Sequence, residues 1–125
     1  MRRWGALLLL AALFCARSDE RPTPAMREAA LVDSLRALRM AIDNFRQDKG
    51  RYPSSLENLV PNYIRRIPAD PITGSATTWK VTTEETVRPS EDFTTSGTAT
   101  SETVIIDVRS GAPGVDSKGT RYSDY

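Results

Sequence analysis

The side chains that most often carry out chemistry are nearly missing from this chain. It has no histidine, and its one cysteine, Cys15, sits inside an apolar stretch near the N-terminus. The rest of the sequence therefore lacks an imidazole base, a His or Cys metal ligand and a thiol nucleophile. Adjacent carboxylates occur at Asp19 and Glu20 and at Glu84 and Glu85. Neighbours on a loop or strand diverge rather than converge on a substrate, so these pairs read as solvated charge. Ser110 lies beside Gly111, but without a histidine or a strand-turn-helix elbow it has nothing to activate it. Trp79 could stack on a ligand or complete a core, and its β-rich neighbourhood favours the core. Arg65 and Arg66 offer paired positive charge to solvent or to an acidic neighbouring subunit. This inventory points to assembly or binding rather than catalysis.

The composition bounds the scaffold that positions these residues. Hydrophobic residues make up 39% of the 125 and charged residues 26%, a balance ordinary for a water-soluble body and too polar for a multi-span membrane protein. With 17 Lys plus Arg against 16 Asp plus Glu the formal net charge is +1. Such a chain has no global field to concentrate a polyanion, so nucleic acid is excluded as an expected partner. Residues 1–21 read as a hydrophobic leader, either an export signal or a membrane anchor. Arg2 and Arg3 open it, Trp4 to Ala16 are apolar, and Arg17 to Arg21 restore charge. The apolar run is shorter than the roughly 20 residues of a full span, which favours the signal. Cys15 ends the run where a lipid-modified cysteine would stand, although Phe14 before it is bulky; the alternative is a buried leader residue. Either way the body, residues 22–125, is expected outside the cytoplasm. It is the size of one domain.

Within that body the first pattern is helical. Thr23 before Pro24 reads as an N-cap followed by the favoured first helical residue. Leu31, Leu35, Leu38, Ile42 and Phe45 then form one stripe, with Arg27, Arg36, Arg39, Asp43, Arg46 and Gln47 turned to water. Gly50 ends the helix at about Lys49. The stripe lasts about two heptads, too few for a sustained coiled coil, so it predicts packing on a sheet in the same domain. Ser54 and Glu57 suggest a capping box opening a short second helix with Leu56, Leu59 and Val60, stopped by Pro61. Tyr63, Ile64 and Ile67 anchor a connection whose turns are marked by Pro68, Asp70, Pro71 and Gly74. Trp79 and Val81 alternate with Lys80 and Thr82, and Val104, Ile105, Ile106 and Val108 make a second β-type run; the two predict an antiparallel pair. Between them, Thr82 to Thr103 reads as a long hairpin arm or loop, with a third strand suggested near Phe93 and Pro89 against any central strand. Gly111, Pro113 and Gly114 predict turns, and Tyr122 and Tyr125 offer rings to pack back.

Taken in order, these pieces resemble the head domain of the major pseudopilin of type II secretion, the general secretion pathway G-type family. Ala41, Ile42, Asp43, Asn44 and Phe45, running through Asp48, Lys49, Gly50, Arg51, Tyr52 and Pro53, look like its helix end, and Leu56, Glu57 and Leu59 like its short helix. Tyr63, Ile64, Ile67, Pro68, Asp70 and Pro71 resemble its segment leading to the sheet. Thr73, Gly74, Trp79, Asp107, Val108, Ser110 and Gly111, then Gly119, Thr120, Tyr122, Ser123 and Asp124, look like a divergent branch. The likeness spans roughly Glu28 to Tyr125.

The resemblance implies an α+β fold, with a long N-terminal amphipathic helix on a small antiparallel sheet. It also implies a non-enzymatic subunit of a secretion or type IV pilus-like machine at the periplasmic face of the inner membrane, or in the periplasm. Its partners would be other pseudopilin or secretion-system subunits, further copies of itself, and the inner membrane through its N-terminus. Calcium is the cofactor the family suggests, and the oxygens available near the end of the chain are Asp107, Ser110, Asp116 and Asp124. Pro113 and Gly114 stand where related loops often place an acid. The leader departs from the family: Gly5 is followed by Ala6 and a leucine run, no acid precedes Asp19, and Pro22 and Pro24 interrupt a continuous helix. That departure keeps open a different class, a periplasmic or lipid-tethered binding module built on the same head.

Overall fold

The computed structural model describes residues 20–88 and 100–125. Cys15, almost all of the leader, Pro89 and the strand suggested near Phe93 lie outside the described residues. The described chain is α+β, with a 26-residue helix α1 (Pro24–Lys49), a 3-10 turn (Leu56–Leu59), an antiparallel pair β1 (Lys80–Arg88) and β2 (Thr100–Arg109), and a second 3-10 turn (Tyr122–Asp124). Among the described residues no helix is long and apolar enough to cross a membrane.

Helix α1 begins and ends where its capping chemistry dictates. The Thr23 hydroxyl accepts from the Met26 amide at 3.2 Å, satisfying one of the free first-turn donors, and Pro24 costs nothing at a position that needs no N–H. Residues 20–23 precede the helix. Gly50 closes it at φ 68°, a left-handed conformation that a side chain would strain, and donates to the Arg46 carbonyl at 2.8 Å. All five members of the predicted stripe are buried, together with Ala41. Together they form a core with Leu56, Leu59, Trp79, Ile105 and Val108.

The short turn is capped one residue later than its sequence suggests. The Ser55 amide donates to the Asn58 side chain at 3.0 Å, so Ser55 and Asn58, rather than Ser54 and Glu57, make the box. Glu57 is exposed. The Trp79 indole N–H donates to the Pro68 carbonyl at 2.7 Å with the ring in the core, which resolves its role as packing.

The hairpin is longer and less buried than its apolar residues indicate. β1 runs through Thr82–Arg88, which the sequence leaves as arm or loop, and pairs with Thr100–Arg109 from Lys80↔Arg109 to Arg88↔Thr100. Thr82 faces Asp107 while Thr83 faces Ile105, leaving Ile106 as an extra residue in β2. That bulge lets Ile105 and Val108, three apart, both join the core; a regular strand would send them to opposite faces. Helix α1 packs on β2. Every side chain of β1 from Lys80 to Val87 is exposed, including the Val81 expected to alternate inward.

Candidate functional site

Three groups of polar side chains stand out against this frame, and each is positioned by a different junction. The first centres on Arg39, one position past the buried Leu38. It is not turned to water with the other helix cations: its Nε donates to Asp107 Oδ1 at 2.9 Å, and its Nη2 to the carbonyls of Val108 at 3.0 Å and Tyr125 at 2.8 Å. One planar guanidinium thus ties α1 to β2 and to the end of the chain. Asp107 also accepts from the Val108 amide at 2.8 Å, and Arg109 lies 3.8 Å from its other oxygen. Helical periodicity marks Arg39 as solvent-facing. Only the reach of the arginine side chain, long enough to leave its own face, hints at this role.

The second group is the fully buried Asp70. Its carboxylate accepts from the Ser110 hydroxyl at 2.5 Å and from the Ile72 amide at 2.8 Å, while Ser110 Oγ accepts from the Ala112 amide at 3.1 Å. Ser110 thus uses its oxygen to join the proline-turn segment to the chain after β2, which is a positioning task. Gly111 beside it serves proximity: a Cβ there would collide with the Thr78 carbonyl, lying 3.0 Å from its carbon.

The third group is the closing loop. Asp116 Oδ1 accepts from the amides of Lys118 and Thr120, both at 2.8 Å, and Oδ2 accepts a short hydrogen bond from the Tyr125 hydroxyl. The Tyr125 bond first, then the Thr120 and Lys118 amides, hold the Asp116 carboxyl below its usual range against the opposing effect of burial. The same bond, with burial and neighbouring carboxylates, pushes Tyr125 up to about 12. Glu28 reaches from α1 to accept from the Ser117 amide and hydroxyl at 2.9 and 2.8 Å, fastening the loop to the helix start.

The four oxygens that the sequence selects for calcium are therefore divided. Asp107 serves Arg39, Ser110 serves Asp70, Asp116 serves Tyr125 and two amides, and Asp124 is exposed with the Ser123 hydroxyl 3.4 Å away. Calcium needs six to eight oxygens turned to one point, and these do not fit that requirement as arranged. Among the described residues no group of three His, Cys, Asp or Glu side chains gathers where it could hold a metal ion. Glu84 and Glu85 sit on opposite faces of β1.

Beside these internal ties lies an open groove of about 650 Å³ between Asp33, Ser34 and Ala37 of α1 and the segment Ile64–Ala69. Its walls carry Ile64, Ile67 and Pro68, and the exposed Arg65 and Arg66 stand beside them. Asp33 is 4.0 Å from Arg36. Neither Arg65 nor Arg66 has an ion-pair partner among the described residues. No protein-family model matches this chain, and comparison with curated proteins and with solved structures also yields no match.

Proposed function

We propose that this chain is a pseudopilin-like subunit or accessory component of a type II secretion or type IV pilus-like system, working by assembly at the periplasmic face of the inner membrane. One observation carries the reading: the order of elements. An amphipathic helix ends at Gly50, a Tyr-Pro turn and a short helix follow, proline turns lead to an antiparallel hairpin, and a closing loop returns to the helix through Arg39 and Glu28. Among the described residues the buried polar side chains are engaged in holding that arrangement, which suits a mechanical part. Its partners would be other subunits of the machine and further copies of itself.

A second reading has its own support. Helix α1 is capped at Thr23, with residues 20–23 outside it, so the helix does not run back continuously toward the leader. A periplasmic or lipid-tethered binding module would need no such continuity. Expressing the full chain with the family's prepilin peptidase, and reading the N-terminal mass, separates the two. Processing after Gly5 and co-purification with secretion subunits support the first. An unprocessed leader, cleavage after Ser18 or lipid on Cys15 removes the filament reading in favour of the tether.

A further inference from the structure

We infer that the outer part of the hairpin docks into the groove beside Arg65 and Arg66 of a second copy of this chain. The hairpin's two faces are unequal. Val81 pairs with Val108 and Thr83 with Ile105, and both partners belong to the core. The bulge falls in β2, so β1 alternates regularly, and Val81, Thr83, Glu85 and Val87 share the face that covers the core lower down. Farther out this face continues uncovered, with Val87 69% exposed. Two paired strands alone are marginal in water, which favours a partner for the exposed part.

The groove complements this face in both of its properties. Ile64, Ile67, Pro68 and Ala37 offer apolar surface for Val87, and Arg65 and Arg66, which outnumber the one lining carboxylate, Asp33, offer positive charge for Glu85, two residues away on the same face. Neither side of this charge match is engaged among the described residues; Glu85, like the two arginines, has no ion-pair partner there. The apolar anchor matters, because an exposed ion pair alone contributes only about 0–1 kcal/mol.

Geometry makes the contact intermolecular. Trp79, at the root of β1, is bonded to Pro68 on the wall of its own groove. Val87 lies eight residues further along an extended strand rising about 3.3 Å per residue, roughly 26 Å away. Ladder pairing with β2 prevents the strand from folding back. Only another molecule's groove is within reach. The patches on the two sides differ, so the contact either closes as a reciprocal pair or propagates from copy to copy. It supplies the assembly reading with a specific contact, yet it rests on ribbon and groove alone and is read out independently of leader processing.

The test is a photo-crosslinking amino acid at position 87 of the full-length chain, produced in a bacterial envelope, with adducts mapped by mass spectrometry. The expected product has the mass of a dimer and is joined to residues 64–69 or 34–37 of the second copy. Glu85→Arg, or Arg65→Glu with Arg66→Glu, should lower its yield about five-fold or more. Combining all three substitutions in one chain should restore it, which a folding defect would not do. Absence of a dimer adduct, an adduct on a different protein or elsewhere on the chain, or a triple variant no better than its parents would overturn the inference.

Discussion

The two ends of the same hairpin behave as different materials. At its base, Ile105 and Val108 meet the stripe of α1, Trp79 is buried, and Asp107 is held by Arg39. At its outer part, from Glu85 to Val87, no β1 side chain is buried, although the ladder with β2 continues without a break after the bulge. Backbone pairing is common to both regions, and only the base adds apolar burial. Hydrogen bonds exchanged with water contribute little net stability, whereas a buried leucine contributes on the order of 2 kcal/mol. This fold is held by a helix on one strand, and the ladder beyond Glu84 adds no apolar burial to it.

The strongest way to break that contrast is at the helix. Leu38→Ala, at 0% exposure in the centre of the stripe, should cost about 2–5 kcal/mol in urea unfolding. Thr86→Ala, on the exposed ribbon, should stay within about 0.5 kcal/mol. Next comes Gly111→Ala, which drives a methyl into the Thr78 carbonyl. Overpacking at that contact should cost about 1–3 kcal/mol, read as a lower melting midpoint.

Arg39→Ala should cost about 1–2 kcal/mol, since its three charge-assisted bonds are partly exposed and are discounted for screening. Its signature is local: amides of the Tyr122–Asp124 turn should exchange faster than those of α1. The smallest effect is the pH dependence of the closing loop. Tyr125 is raised above 10, so its contribution is complete below pH 10 and is lost as pH rises toward about 12. Asp116 is lowered, so its contribution is present above its ordinary value of 3.8 and is lost as pH falls further. Tyr125→Phe should flatten both limbs of a stability-against-pH curve, the alkaline limb more.

What could be read from sequence follows the same division. Thr23, Pro24, Gly50 and the five-residue stripe were legible because capping and helical period act locally and burial enforces them. Trp79 as core was legible for the same reason. The outer strand is legible only as one of two alternatives, a hairpin arm or a loop, because its exposed β1 residues show no alternation of apolar and polar side chains; the strand signal there is β-branched threonine at 82, 83 and 86. Arg39 escapes the helical pattern because period describes where a Cβ points, while a guanidinium acts several ångströms beyond it. The four candidate calcium oxygens share type and proximity in sequence, and each is engaged with a different protein partner. The Ser55–Asn58 box shows the usual uncertainty of one residue at a helix start.

The most direct test of the division is amide hydrogen exchange, measured at several protein concentrations. Val108 and the α1 core should exchange only through global unfolding. Thr86, Val87 and Ser101 should exchange much faster in dilute solution and gain protection, together with residues 64–69, as concentration rises. A ribbon as protected as Val108 at every concentration, or a helix stripe exchanging as fast as the ribbon, would contradict the account.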